Sequence, residues 1–237
     1  MDLKEQEILS EDANHHWYYQ AKSQLLGKLV GNIDQPTILD VGAGSCFFSR
    51  FLLQHEHASK ATCIDPNFQN TESETINGQP LKKFKSVKKS DADIVIMMDI
   101  LEHVDDDVAL LKEYVSKVDK GAVFVITVPA FMFLWSEHDN YLEHKRRYTL
   151  AMLNKTVLQA GLSPEKNFYF FSFVFPIALV MRLSNKLLGL GGKGSQLKKH
   201  SKFTNWILKS ICSIELKLPV LRSLFGLSVV CVCRKTI

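Results

Sequence analysis

The apolar positions of the chain fall into two kinds of run. Unbroken blocks at Thr37–Val41, 61–64, 93–98 and 122–128 are too short for helices and rich in β-branched residues. Each reads as a strand buried on both faces. Between them, over 46–54, 105–117 and 150–160, apolar residues recur at helical spacing. Pro36 opens the first strand, Gly42 and Gly44 mark a turn after it, and Ser45 is placed to cap the helix that follows. Pro129 closes a later strand and Gly161 stops a helix. This alternation predicts an α/β fold, a doubly wound and mostly parallel sheet with helices on both faces.

The ends of the chain follow a different rhythm. Residues 5–29 read as mostly helical. After a β-rich stretch at 166–171 come an apolar helix over 173–190, a glycine-rich break over 191–195 and an amphipathic helix over 203–218. A β-rich run at 227–233 then closes an edge of the sheet. The polar stretch 67–90 holds no more than a weak strand near 84–87. The expected organisation is one domain over 1–237. Its core is 30–172 and 226–237, with an N-terminal helical lid over 1–30 and a helical insertion over 173–225.

Composition narrows the class. A chain of 237 residues with 46% apolar content can bury a substantial core, so disorder is not expected. Net charge is a mild +4, but from 182 to 237 there are eleven Lys or Arg against one acid, Glu215. A second basic run is Lys82, Lys83, Lys85, Lys88 and Lys89. Such runs are either solvated surface or an attraction for anionic lipid or substrate. Cys46, Cys63, Cys212, Cys231 and Cys233 are odd in number and form no CxxC pair, which fits reduced thiols in a cytoplasmic protein and neither a zinc site nor a disulfide framework. The acidic, polar first residues carry no signal-peptide pattern. The longest charge-free apolar run, 168–181, is broken by Pro176 and falls short of the roughly 20 residues a bilayer span needs. Peripheral contact with an anionic membrane is therefore the one membrane reading left open.

Candidate chemistry begins at Asp40-Val41-Gly42-Ala43-Gly44-Ser45. In a doubly wound sheet ligands sit at the carboxyl ends of the strands, and glycine there lets a ligand approach the backbone. A dinucleotide turn, GxGxxG, is disfavoured because Phe47 stands at the third glycine, and no P-loop pattern occurs. Asp65, at the end of the second strand, suits two ribose hydroxyls, equally of NAD or of S-adenosylmethionine (SAM). It is also a common turn starter before Pro66.

The third piece is Met98-Asp99-Ile100-Leu101-Glu102-His103-Val104. With the first two it closely resembles class I SAM-dependent methyltransferases, in the branch carrying a D-x-G-x-G turn and a later L-E-H-V. His16-Trp17-Tyr18-Tyr19, Val128-Pro129-Ala130, Leu134-Trp135-Ser136, His138-Asp139, His144-Lys145-Arg146-Arg147-Tyr148-Thr149 and Gly226-Leu227-Ser228 match further segments of that branch. The resemblance covers nearly the whole chain. It implies a seven-stranded Rossmann-like sheet, SAM as cofactor and a small-molecule acceptor. The modest basic charge and the lack of a base-handling motif such as N-P-P-Y argue for no nucleic-acid partner, and no metal is expected. By position it implies that Asp40, Gly42, Ala43, Gly44 and Ser45 border the methionine part of SAM. Asp65 then holds the ribose, Met98, Asp99, Ile100 and Leu101 line the other side, and His16 and Trp17 belong to a lid. The lysine-rich stretch 82–90 offers no counterpart to the residue that usually meets the adenine edge.

The acceptor side rests on histidines and a polar loop. His144 and His138 are the first candidates for a general base, and His103 the third, since histidine exchanges protons near neutral pH. Trp135, Arg146, Arg147 and Tyr148 suit a substrate rim. They suit equally a structural network in which Arg146 or Arg147 pairs with an acid. The insertion joins apolar helices to Lys198, Lys199, Lys202, Lys209 and Lys217, the pattern of an interfacial element, and so suggests an amphiphilic or lipid-linked acceptor. A non-catalytic SAM-binding subunit and an NAD-dependent oxidoreductase are the alternatives.

Overall fold

A computed structural model describes residues 15–31, 33–188 and 201–236. The buried blocks form the middle of one mixed sheet. In chain order the elements are α1 (Trp17–Val30), β1 (Thr37–Val41), α2 (Phe47–Gln54), β2 (Lys60–Ile64), β3 (Glu72–Ile76), β4 (Gln79–Phe84), β5 (Ile94–Met98), α3 (Asp107–Lys117), β6 (Val123–Pro129), α4 (Glu137–Tyr141), α5 (Leu150–Gln159), β7 (Leu162–Phe170), α6 (Phe175–Leu188), α7 (Lys202–Lys217) and β8 (Ser228–Lys235). The strand order is β3-β4-β2-β1-β5-β6-β8-β7. Strands β4, β2, β1, β5 and β6 run parallel, β3 runs antiparallel to β4, and β8 runs antiparallel to both its neighbours. One core lies on each face, the first around Leu39, Val95, Phe124 and Tyr148, the second around Ile38, Leu52, Ile96 and Val125.

The sheet has eight strands, one more than the seven expected. The added strand, β3, forms a hairpin with β4 through Asn77 and Gly78, both at positive φ (49° and 80°), a pairing that suits a tight hairpin turn. Exposed Glu72 and Ser73 and half-buried Glu74 hide it in a polar stretch, and β4 ends at Phe84, where the weak strand was expected to begin. Ser45 does not cap α2. The chain turns instead through Cys46 at φ 58°, and the Ser45 hydroxyl is buried without a hydrogen-bond partner. Strand β7 starts at Leu162, earlier than its apolar run, because Pro164 sits beside a bulge on an edge strand, where a missing N–H is tolerated.

The helices near the chain's ends meet each other. The Trp17 N–H at the start of α1 donates to Asn205 Oδ1 on α7 (2.7 Å), and Lys28 Nζ donates to the Leu216 carbonyl (3.1 Å). Trp17 packs edge-on against Phe171 (5.5 Å). On the inner side of α7, buried Glu215 accepts the backbone N–H groups of Ser172 (3.0 Å) and Phe173 (3.4 Å), which lead into α6. The 191–195 break, Lys198 and Lys199 lie outside the described residues.

Candidate active site

Strand order places the crevice. Chain progress from β1 goes one way to β2 and β4, and the other way to β5 and β6, so the order reverses at β1. In open α/β sheets the crevice at the carboxyl ends of the strands beside such a reversal is where ligands bind. Asp40 in β1, Asp65 after β2 and Asp99 after β5 all stand at that end.

The turn after β1 is fixed by backbone geometry. Gly42 (φ 66°) and Gly44 (φ 50°) adopt left-handed conformations that suit glycine. The Gly42 and Ala43 N–H groups donate to the Ile64 carbonyl (2.8 and 3.0 Å), pinning the turn to the end of β2. A Cβ on Gly42 would lie 1.9 Å from Ile100 Cδ1, so the turn and the β5 tip meet only because that position is bare. Asp65 accepts the Gly44 N–H on Oδ2 and the Asn67 N–H on Oδ1, both at 2.9 Å. Asp40 is buried and accepts the Ser49 hydroxyl (2.7 Å). Burial, with the nearby Asp65 charge, pushes its pKa up to about 6.

Asp99 is held in a strained conformation (φ 56°) by several partners. Its N–H donates to the Thr127 carbonyl (2.9 Å), and Oδ1 accepts the Thr127 hydroxyl (3.1 Å). Two further donors come from α1, the Tyr18 hydroxyl (3.3 Å) and the buried Lys22 ammonium, which forms an ion pair with Oδ2. Burial alone would raise the Asp99 pKa, but the Lys22 charge and hydrogen bond outweigh it and hold the carboxyl low. Tyr18 and Lys22 were missed in sequence. Lys22 shares the inward stripe of α1 with Tyr19 and Leu26, where pattern alone reads a lysine as an outlier.

The side expected to meet an acceptor is a clamp between two segments. Residues 144–148 lie along 101–107: the Lys145 N–H donates to the Glu102 carbonyl (2.7 Å), Arg146 donates to the carbonyls of Val104 (2.8 Å) and Asp105 (2.6 Å), and the Tyr148 hydroxyl donates to Asp107 Oδ2 (2.8 Å). Behind the clamp Asp139 is fully buried and fully bonded. Oδ1 takes Arg147 Nε (2.7 Å) and His144 Nδ1 (3.0 Å), while Oδ2 takes Arg147 Nη2 (3.0 Å) and the Ser136 N–H (2.8 Å). Burial would raise the Asp139 pKa, yet the bonds from His144 and Arg147 reverse that and keep it ionised. An ionised carboxylate only accepts, so His144 Nδ1 carries the hydrogen and Nε2 keeps a lone pair when the ring is neutral.

The rings of His103 and His144 meet edge to face at 4.7 Å. Beside them Glu102 is wholly buried, and neither carboxyl oxygen has a hydrogen-bond partner. Burial, then the Asp99 charge, pushes its pKa well above the usual carboxylate range. Glu102, His103 and His144 each bring one ligating atom within 4.8 Å of the others, a cluster able to pass a proton or to hold a cation. The remaining expected residues are less central. His138 is half-buried on α4, and Trp135 Nε1 donates to Asn140 Oδ1 (2.9 Å). Arg147 and Tyr148 point inward, spent on Asp139 and Asp107, so they build the loop instead of lining its surface. His16 and Trp17 are buried under the start of α1.

A family model described as a methyltransferase domain matches residues 13–166. The chain belongs to that family. The match spans the three strand tips, the Glu102 segment and the 144–148 clamp. No curated protein matches the chain. Among solved structures, a candidate methyltransferase of Haloferax volcanii, held in a complex with the Trm112 methyltransferase activator, superposes with a TM-score of 0.56 at 13% identity, over 95% of this chain and 92% of that one. A candidate methyltransferase of Bacillus halodurans gives 0.54 at 12% identity, over 92% and 100%. Phosphoethanolamine N-methyltransferase 2 of Haemonchus contortus, in complex with SAM, gives 0.54 at 13% identity, over 91% and 52%. At these identities the shared property is the fold. In this methyltransferase two elements outside the matched region finish the fold: β8 completes the sheet and α7 packs on α1.

Proposed function

We propose that this methyltransferase takes SAM in the crevice between the Gly42–Gly44 turn and the Asp99–Ile100 tip. In this reading it methylates a small amphiphilic or lipid-linked acceptor with His144 as general base. The cofactor supplies a methyl group already activated on a positively charged sulfur. The residues present suit it. The turn keeps its backbone bare at Gly42, and Asp65 offers both carboxylate oxygens to a diol in place of the backbone N–H groups it now accepts. The protein's share of catalysis is to hold the acceptor in line, at about 3–3.5 Å, and to take its proton.

The observation that carries the reading is the Asp139–His144 pair beside Glu102 and His103. Asp139 is a positioning residue: it fixes the ring and the tautomer of His144, which leaves Nε2 to accept the proton. Glu102, kept neutral by burial, retains an O–H to donate to an acceptor oxygen. Phe131, Phe133 and Phe175 give the loop an apolar flank on which a hydrocarbon chain can lie, with Phe131 stacked on Phe133 at 5.0 Å.

The test separates binding from turnover. Calorimetry should show SAM binding to the wild type, and Asp65→Ala should weaken it by about tenfold or more, close to 1.4 kcal/mol. With radiolabelled SAM and a total lipid extract, label should pass into an organic-soluble product. His144→Ala should abolish that transfer while leaving SAM affinity within about twofold. Full turnover in His144→Ala removes it as the base, and absence of SAM binding to the wild type removes the whole reading.

A further inference from the structure

The outward side of α6 and α7 has a composition that a solvated surface does not need. Ile177, Val180 and Met181 on α6, Phe203 and Trp206 on α7, and Leu224 beyond it are all exposed. Phe203 and Trp206 are 70% and 64% exposed, with rings stacked at 6.4 Å on the first turns of α7. Aromatic side chains gathered at a helix surface without cover are costly in water and suit the boundary between lipid headgroups and acyl chains.

Charge supplies the second observation. Between residues 175 and 225 the sequence holds nine Lys or Arg and a single acid, Glu215. That acid is buried, bonded to the Ser172 and Phe173 N–H groups. Among the described residues Lys202 and Lys217 are exposed on α7 and Lys209 is half-buried there, so the charge that α7 shows to solvent is of one sign. Exposed aromatic side chains beside exposed cations are complementary to the surface of an anionic bilayer. No described helix is long and apolar enough to cross a membrane, so the fit is to its surface.

The third observation is continuity with the site. Arg182 of α6 donates to the Leu134 carbonyl in the acceptor loop. Exposed Phe133 lies 6.4 Å from Phe175 at the start of α6, and Phe175 stacks on Phe225 at 4.9 Å. Ring contacts thus tie the start of α6 to the loop that carries His144, on which Phe133 is itself exposed.

We propose that this face, α6 and α7 with the Met132–Phe133 tip, seats the protein on an anionic lipid bilayer, so that an acceptor enters the crevice from the membrane. The proposal adds a partner to the function proposed above. Its test uses neither SAM nor acceptor, so the two readings fail separately. The full chain is floated with vesicles of phosphatidylcholine alone or with phosphatidylglycerol added. The wild type should float with the anionic vesicles at low salt, less at high salt, and stay in the soluble fraction with the neutral ones. The double variant Phe203→Glu with Trp206→Glu should lower the floated fraction by roughly tenfold. Leu158→Glu, an exposed apolar position on α5 outside this face, should float as the wild type does. A wild type that stays soluble with both vesicles overturns the proposal, as does a double variant that floats unchanged. Size-exclusion chromatography showing a wild-type dimer that the double variant dissolves, without flotation, assigns the face to a second copy of the chain and overturns it too.

Discussion

Asp40 carries a charge that the fold does not accommodate well, and replacing it with Asn should show this as a pH-dependent gain. The carboxyl is buried, with the Ser49 hydroxyl as its hydrogen-bond partner, and its pKa rises from 3.8 to about 6. In the unfolded chain it ionises near 3.8; in the folded chain it stays protonated until about pH 6. Its contribution to stability is thus whole below pH 4 and is lost as pH rises through 6, after which a constant deficit remains. Two pKa units correspond to on the order of 3 kcal/mol. Asn keeps an oxygen for Ser49 and brings no charge. Asp40→Asn without cofactor should therefore match the wild type near pH 4 and exceed it by about 6–12 °C in Tm at pH 8 for a domain of this size. Thermal melts followed by circular dichroism at both pH values measure the difference. An equal offset at the two pH values, or a less stable variant at pH 8, would refute the reasoning.

Other outcomes follow from the same geometry. Gly42→Ala meets Ile100 Cδ1 and a positive φ, and should cost about 1–3 kcal/mol in urea denaturation, with part recovered by Ile100→Ala. Arg147→Met leaves Asp139 buried without its bidentate partner and should cost about 3–5 kcal/mol, with an unfolding midpoint that improves as pH falls and Asp139 protonates. Lys22→Met removes the charge that holds Asp99 low and should speed amide exchange in α1, read by hydrogen–deuterium exchange; an unchanged α1 would detach that helix from the β5 tip.

Much of this was legible in the chain because buried parallel strands write themselves as continuous apolar blocks. β1, β5 and β6 could be read within a residue or two, and with them the strand tips where Asp40 and Asp99 stand. The β3–β4 hairpin was not, because a solvated edge carries no apolar alternation; only Asn77-Gly78 signalled it. The site divided in the same way. The glycine turn is local and visible, whereas the Lys22–Asp99 pair joins residues far apart in sequence through a helix whose placement no local pattern fixes. Arg147 shows the converse. A run of arginine, arginine and tyrosine looks like a rim, yet buried Asp139 draws its guanidinium inward.

The position of β8 also sets an order of assembly. It lies between β6 and β7, bonded to both along their length, so β7 has no place in the sheet until residues 228–235 have left the ribosome. Strands β1, β2, β4, β5 and β6 can pair as they emerge, but β6 must wait with an open edge while α5, β7, α6 and α7 are made. A nascent chain halted before residue 228 would hold its parallel strands beside an unpaired apolar edge at β6, an intermediate exposed to aggregation. Placement of β7 and protection of the β6 edge are thus one late event.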